Sequence, residues 1–145
     1  MELLAANPRV DPPLRTYGDV LVRLDWDVTL VEDGSVLISE DVTAVELAYV
    51  LTKWVEADAW DRPPFEFDSM DDERVGLIAI QPEGNKWRVG SCLLPGDHWP
   101  LGSSSEVDCL VLSFIASVVS STRIACGVDL QPLLSGQVIC NDLLN

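Results

Sequence analysis

The sequence predicts an α+β protein, an antiparallel sheet of about five strands with two helices packed on one face. Three observations carry this. Strict period-two alternation of apolar residues opens near residue 19, helical spacing occurs near 42–59 and 106–124, and the resulting order, β-β-α-β-β-β-α, contains no repeated βαβ unit. The 145 residues suit one domain, and at that length folding buries roughly two thirds of the unfolded surface, enough for a core without metal or disulfide.

Residues 1–16 hold Pro8, Pro12 and Pro13 without periodicity and read as an irregular arm before a single domain of 17–145. From Asp19, the residues Val20, Val22, Leu24, Trp26, Val28 and Leu30 point one way while Leu21, Arg23, Asp25, Asp27 and Thr29 point the other, a strand with one buried face. Asp33-Gly34 is a tight-turn signal, and Val36-Leu37-Ile38 returns as the second arm of a hairpin. Ser39-Glu40-Asp41 offers caps for a helix over about 42–59, whose stripe is Ala44, Leu47, Ala48, Leu51, Trp54 and Val55. Pro63-Pro64 ends it. Phe65-Glu66-Phe67-Asp68 alternates as a short strand, and 70–73 is an acidic turn. Val75–Ile80 is apolar on both faces, as a central strand is, and 87–93 is the next strand. A Gly/Pro loop at 95–102 leads through a Ser105/Asp108 capping box into a second helix over about 106–124, stopped by Gly127. The tail supplies Leu130, Leu133 and Leu134 to cover that helix, in preference to a second copy of the chain, and a small edge strand at 137–140.

Charge is the unusual feature. Nine Lys and Arg oppose 24 Asp and Glu, a net charge of −15. Nucleic-acid binders and partners of anionic membranes use Lys and Arg to neutralise phosphate, so neither class is expected. No signal-peptide pattern opens the chain, and no run approaches 18 consecutive apolar residues; the closest is Val107–Val119. Cys92, Cys109, Cys126 and Cys140 sit in apolar surroundings at spacings unlike a zinc pattern, which reads as four reduced, buried thiols in a cytoplasmic protein.

Catalytic constellations are sparse. His98 is the single histidine and lies in a loop beside Asp97 without a nucleophile pattern. Asp68-x-Met70-x-Asp72 departs from a calcium loop at a ligand position. No metal or cofactor is therefore expected, and a non-enzymatic binding protein is favoured over an enzyme using carboxylates or a self-assembling subunit.

From Asp25 to Glu73 there are 15 acidic and two basic residues, −13 of the total −15. Such a concentration repels itself, whereas solubility alone is served by dispersed charge. Asp25, Asp27, Glu46, Glu56, Asp58 and Asp61, with Trp60 at the edge and Trp99 as a second aromatic anchor, are the expected docking residues for a basic protein partner.

Val45-Glu46-Leu47-Ala48 and Trp87-Arg88-Val89-Gly90-Ser91, within an acidic βα arrangement over roughly 17–124, resemble the small acidic immunity-type proteins of bacterial polymorphic toxin systems. That resemblance implies a chain that covers the active site of a cognate toxin domain. A homodimer through the second helix is the accompanying possibility.

Overall fold

The structure, a computed structural model, describes residues 1–144. Its class is α+β and every strand pair is antiparallel, but seven strands form two sheets instead of one sheet of about five. The first sheet has the order β1-β2-β3, from β1 (Glu2–Val10), β2 (Leu24–Glu32) and β3 (Ser35–Val42). The second is a meander of β4 (Phe65–Asp68), β5 (Val75–Glu83), β6 (Lys86–Gly90) and β7 (Leu101–Gly102). The helices are α1 (Tyr17–Val22), α2 (Ala44–Glu56), α3 (Ser104–Cys126) and α4 (Gln131–Leu134).

The N-terminal residues are not an irregular arm. Glu2–Val10 pairs along β2 as an edge strand, and its register shifts between Ala6 and Arg9 where Asn7 takes φ 54°. A bulge on an edge strand accommodates Pro8, which cannot donate to a ladder, so a proline here is compatible with a strand. The alternation over 19–23 is also overridden. Thr16 and Asp19 form a reciprocal capping box that nucleates α1, and the strand starts only at Leu24. The hairpin turns at Asp33-Gly34 as expected, with φ of 50° and 78°, and Leu24, Trp26, Val28 and Leu30 are fully buried. β3 runs on to Val42, because Ser39, Glu40 and Asp41 pair with β2 instead of capping a helix.

One core joins both sheets to α2 and α3. Trp54 of α2 meets Phe65 and Trp87 edge-on, at ring-centroid distances of 6.0 and 5.5 Å. On the second sheet Phe65, Ile80, Trp87 and Val89 face this core. The opposite face of β5 and β6 is apolar at Ala79 because Trp99 folds back over it. The Trp99 indole N–H donates to the Leu94 carbonyl, and a Cβ at Gly90 would come within 2.1 Å of its ring.

α3 begins at a Ser103/Glu106 capping box, two residues before the expected one, and ends at Gly127 with φ 71°. Val107, Val111, Phe114 and Val118 are buried. The tail does not cover the other side of α3. Leu130 and Leu133 are buried in the core, α4 packs against α2, and residues 140–144 run beside 15–18. Residues 137–140 form no strand: the Cys140 carbonyl is taken by the Gly18 N–H, so this segment supports α1 instead of a sheet edge. All four cysteines are free, but Cys92 and Cys109 are exposed: Cys109 lies on the outer side of α3 while Leu110 turns inward, and Cys92 lies beside a likewise exposed Leu93 in the segment after β6.

Candidate functional site

The residues expected to form one docking face lie in two clusters at opposite ends of α2. Asp25 and Asp27 sit on β2 beside the end of β3, which leads directly into the first turn of α2. Glu56, Asp58, Trp60 and Asp61 lie at the other end, a helix of 13 residues or about 20 Å away.

The first cluster is compensated in part. Asn7 and Arg9 of β1 donate to Asp27 at 2.8 and 3.0 Å, and Arg9 also pairs with Asp41. The Asn7 hydrogen bond, with Arg9 behind it, holds the Asp27 carboxyl below its ordinary range. Arg74 clasps Asp72 at 2.9 Å, with the same effect on Asp72, and reaches Glu40 at 3.5 Å. Two arginines from outside the acidic segment are thus folded back onto it. Asp25, Asp41, Asp71 and Asp72, with Arg74, line a polar cavity of about 210 Å³. Asp25 makes no ion pair among the described residues. Burial, reinforced by Asp41 and Asp71, raises its carboxyl above the ordinary range.

Glu46 belongs to neither cluster. It is 4% exposed, and its carboxylate accepts from the Thr43 hydroxyl at 2.9 Å, the Ser69 hydroxyl at 2.6 Å and the Met70 N–H at 3.0 Å. It ties the start of α2 to the loop after β4 and cannot be offered to a partner. The helical period placed it on the polar face, but the 69–74 loop closes over that position.

The second cluster is uncompensated. Glu56, Asp58 and Asp61 are exposed, and their carboxylates take no ion pair or side-chain hydrogen bond among the described residues. Trp60 stands among them on a 3₁₀ turn, Ala59–Asp61, with 64% of its surface exposed. Negative charge at a helix C-terminus opposes the macrodipole. Arg62 offsets this from beneath: its buried guanidinium donates to the Val55 carbonyl at 2.9 Å and the Ala57 carbonyl at 2.8 Å, pairs with Asp108 of α3 at 2.6 Å, and lies 4.8 Å over the Trp54 ring. The turn carrying Trp60 is therefore braced from inside while its outer surface is left free. Sequence reasoning counted Arg62 only as a charge. Its capping role was signalled by its place between a helix end and Pro63-Pro64.

Trp99 is half-buried and structural, as the lid over Gly90, and its carbonyl accepts from Arg88 at 2.7 Å. Its place in a Gly/Pro loop suggested exposure, but the loop folds onto the sheet. His98 and Asp97 are both exposed, 4.0 Å apart, in the same loop. No group of three or more His, Cys, Asp or Glu among the described residues is arranged to hold a metal ion.

A family model described as a domain of unknown function (DUF7878) matches residues 10–99, 90 of the 145, and the chain belongs to that family. No curated protein and no solved structure matches the chain. The matched stretch contains both acidic clusters and ends before α3.

Proposed function

We propose that this member of the DUF7878 family is a non-enzymatic binding protein that docks a basic protein surface on the Trp60 turn, and that its concrete role is that of an immunity-type protein occluding a toxin domain. One observation carries the reading. An exposed indole is flanked within six residues of chain by three carboxylates that have no partner of their own, on a turn braced by a buried arginine. Aromatic anchors rimmed by charge dominate binding energy, and rim charge accelerates encounter with an oppositely charged partner. A braced turn also loses little conformational freedom on association. The carboxylate cavity at Asp25 supports the same class of partner more weakly, because its walls could accept a Lys or Arg side chain.

The test is binding kinetics against the cationic domain of a secreted toxin encoded beside this chain's gene, at low and high salt. Reversal of Asp58 and Asp61 to lysine is expected to slow association and flatten its salt dependence. Trp60→Ala is expected to speed dissociation by the equivalent of about 2 kcal/mol. An association rate and salt slope indifferent to those reversals would remove the Trp60 turn from the interface.

A further inference from the structure

Among the described residues, the outer edge of β1 holds the one long stretch of sheet edge that is left unprotected. Edges invite pairing and are ordinarily blunted by shortness, bulges, proline or charge. β4 and β7, at the margins of the second sheet, have four and two residues. β3 carries a bulge at Leu37 and the charged Glu40 and Asp41. β1 has its bulge, its proline and its arginine all within Asn7–Val10, so Leu3–Ala6 has none of these devices.

Ladder alternation decides which backbone groups face outward there. Glu32 and Ser35 oppose each other across the two-residue turn, and such a closing pair exchanges both hydrogen bonds. Alternate residues of β2 then turn the other way, so Val31 and Thr29 bond to Glu2 and Leu4 of β1. Leu3 and Ala5 point their N–H and C=O groups away from β2, where these groups have no partner among the described residues. Leu3 is 4% exposed, and backbone groups of so buried a residue are ordinarily paired. An apolar groove of about 450 Å³ runs past them. Residues 1–4 all border it although their side chains alternate between the two faces of the strand, so the groove follows the strand's edge. Its other wall is the row Ser105, Cys109, Ser113 and Ser117 of α3. That row rises about 18 Å along the helix, and residues 1–6 extend about 17 Å along β1.

A strand is the occupant that satisfies both walls. Added beside β1, it takes the outward groups of Leu3 and Ala5, and every second side chain falls over the small-residue row of α3, which leaves room for large apolar groups. Charge narrows the class further. Glu2 and Glu106 are the charged residues of the lining, no basic residue borders the groove, and the chain carries −15, so basic residues complement the rim. A second copy would bring the same net charge and the same Glu2 to this edge. We infer that the β1 edge and the facing row of α3 form a peptide-binding groove, which takes an extended segment of another protein as an added strand with large apolar residues at alternate positions and Lys or Arg beside them. The inference is independent of the Trp60 reading.

Selection of phage-displayed random linear peptides against the full chain supplies the probe. Sequences with alternating large apolar residues flanked by Lys or Arg are expected to enrich and to bind as isolated synthetic peptides. Backbone N-methylation of such a peptide is expected to weaken binding on the order of 10-fold at every second residue, where an N–H faces β1, with little effect at the residues between. Ala5→Pro removes an outward N–H without touching the ladder between β1 and β2, and is expected to weaken binding to the same degree with an unchanged circular-dichroism spectrum. Ser113→Phe, at an exposed position, fills the groove and has the same effect even where the proline disturbs the strand. Trp60→Ala leaves peptide affinity unchanged. Any of four results would overturn the proposal: no enriched sequence, N-methylation losses without alternation, an affinity indifferent to both Ala5→Pro and Ser113→Phe, or sedimentation of the chain alone at twice 15.9 kDa that Ala5→Pro returns to the single mass, which would give the edge to a second copy.

Discussion

The two ends of α2 both carry carboxylates, more of them at the Asp25 end than at the Trp60 end, and treat them differently. At the Asp25 end, Asn7 and Arg9 hold Asp27, Arg9 pairs with Asp41, Arg74 clasps Asp72, and Glu46 is buried under three donors. At the Trp60 end, the one nearby arginine is spent on backbone carbonyls and on Asp108 of another helix, so Glu56, Asp58 and Asp61 face water without partners. Acidity that folds onto its own arginines serves cohesion. Acidity left open beside an exposed indole is available to a partner. Charge count alone does not separate these, because 15 acidic residues over 49 positions look like one surface until the cations from outside the segment are placed.

The largest effect expected from breaking this contrast is at Arg62. Arg62→Ala leaves two carbonyls at the end of α2 and the Asp108 carboxylate without their donor, at a cost of about 2–4 kcal/mol. Urea denaturation measures it, and a cost below about 1 kcal/mol would show that the brace is dispensable. Glu46→Ala comes next. It strips the acceptor from Thr43, Ser69 and the Met70 N–H and is expected to cost about 2 kcal/mol, while Glu56→Ala on the same helix stays within about 0.5 kcal/mol. Equal losses in the two variants would erase the distinction between buried and open acidity. Trp60→Ala is expected to leave stability within about 0.5 kcal/mol of the parent while impairing partner binding, so a large loss in urea midpoint would reassign Trp60 to the core.

The smallest expected effect is on acid stability, and its sign differs between neighbouring residues. Asp25 titrates above its unfolded value, so its ionisation costs stability at neutral pH and that cost disappears as pH falls through the raised value. Asp27 and Asp72 titrate below theirs, so the stability they add is present above the unfolded value and is lost as pH falls through the depressed ones. The melting temperature should therefore rise slightly on mild acidification and fall on stronger acidification. Asp25→Asn should blunt the rise and Asn7→Ala should shift the fall to higher pH. A profile unchanged in both variants would show that these contacts do not persist in solution.

Legibility followed how local each determinant was. The Asp33-Gly34 turn, the core stripe of α2 and the arrest of α3 at Gly127 were readable because each depends on a few adjacent residues and their backbone preferences. β1 was not, because an edge strand with a bulge tolerates the proline that argues against it, and its evidence is the partner strand 20 residues away. α1 was hidden by an alternation that continued into a true strand, and only the Thr16/Asp19 box marked the boundary. Of the expected docking residues, Trp60, Glu56, Asp58 and Asp61 are together on the surface. Glu46 is claimed by a loop that folds over it from a distant part of the chain, and Trp99 is claimed by the sheet onto which its own loop folds.

The sequence by itself determined the α+β class, the antiparallel first hairpin, the buried Trp26 face and the concentration of negative charge, since these follow from periodicity, turn chemistry and composition. Only the tertiary structure decided that the strands form two sheets, that the tail covers α2 and α1 and leaves the outer stripe of α3 open, and which carboxylates are neutralised. The reason is range. A hydrophobic period is written in consecutive residues, but an ion pair such as Arg9 with Asp41 or Arg62 with Asp108 exists only once chain segments 32 and 46 residues apart have been packed together.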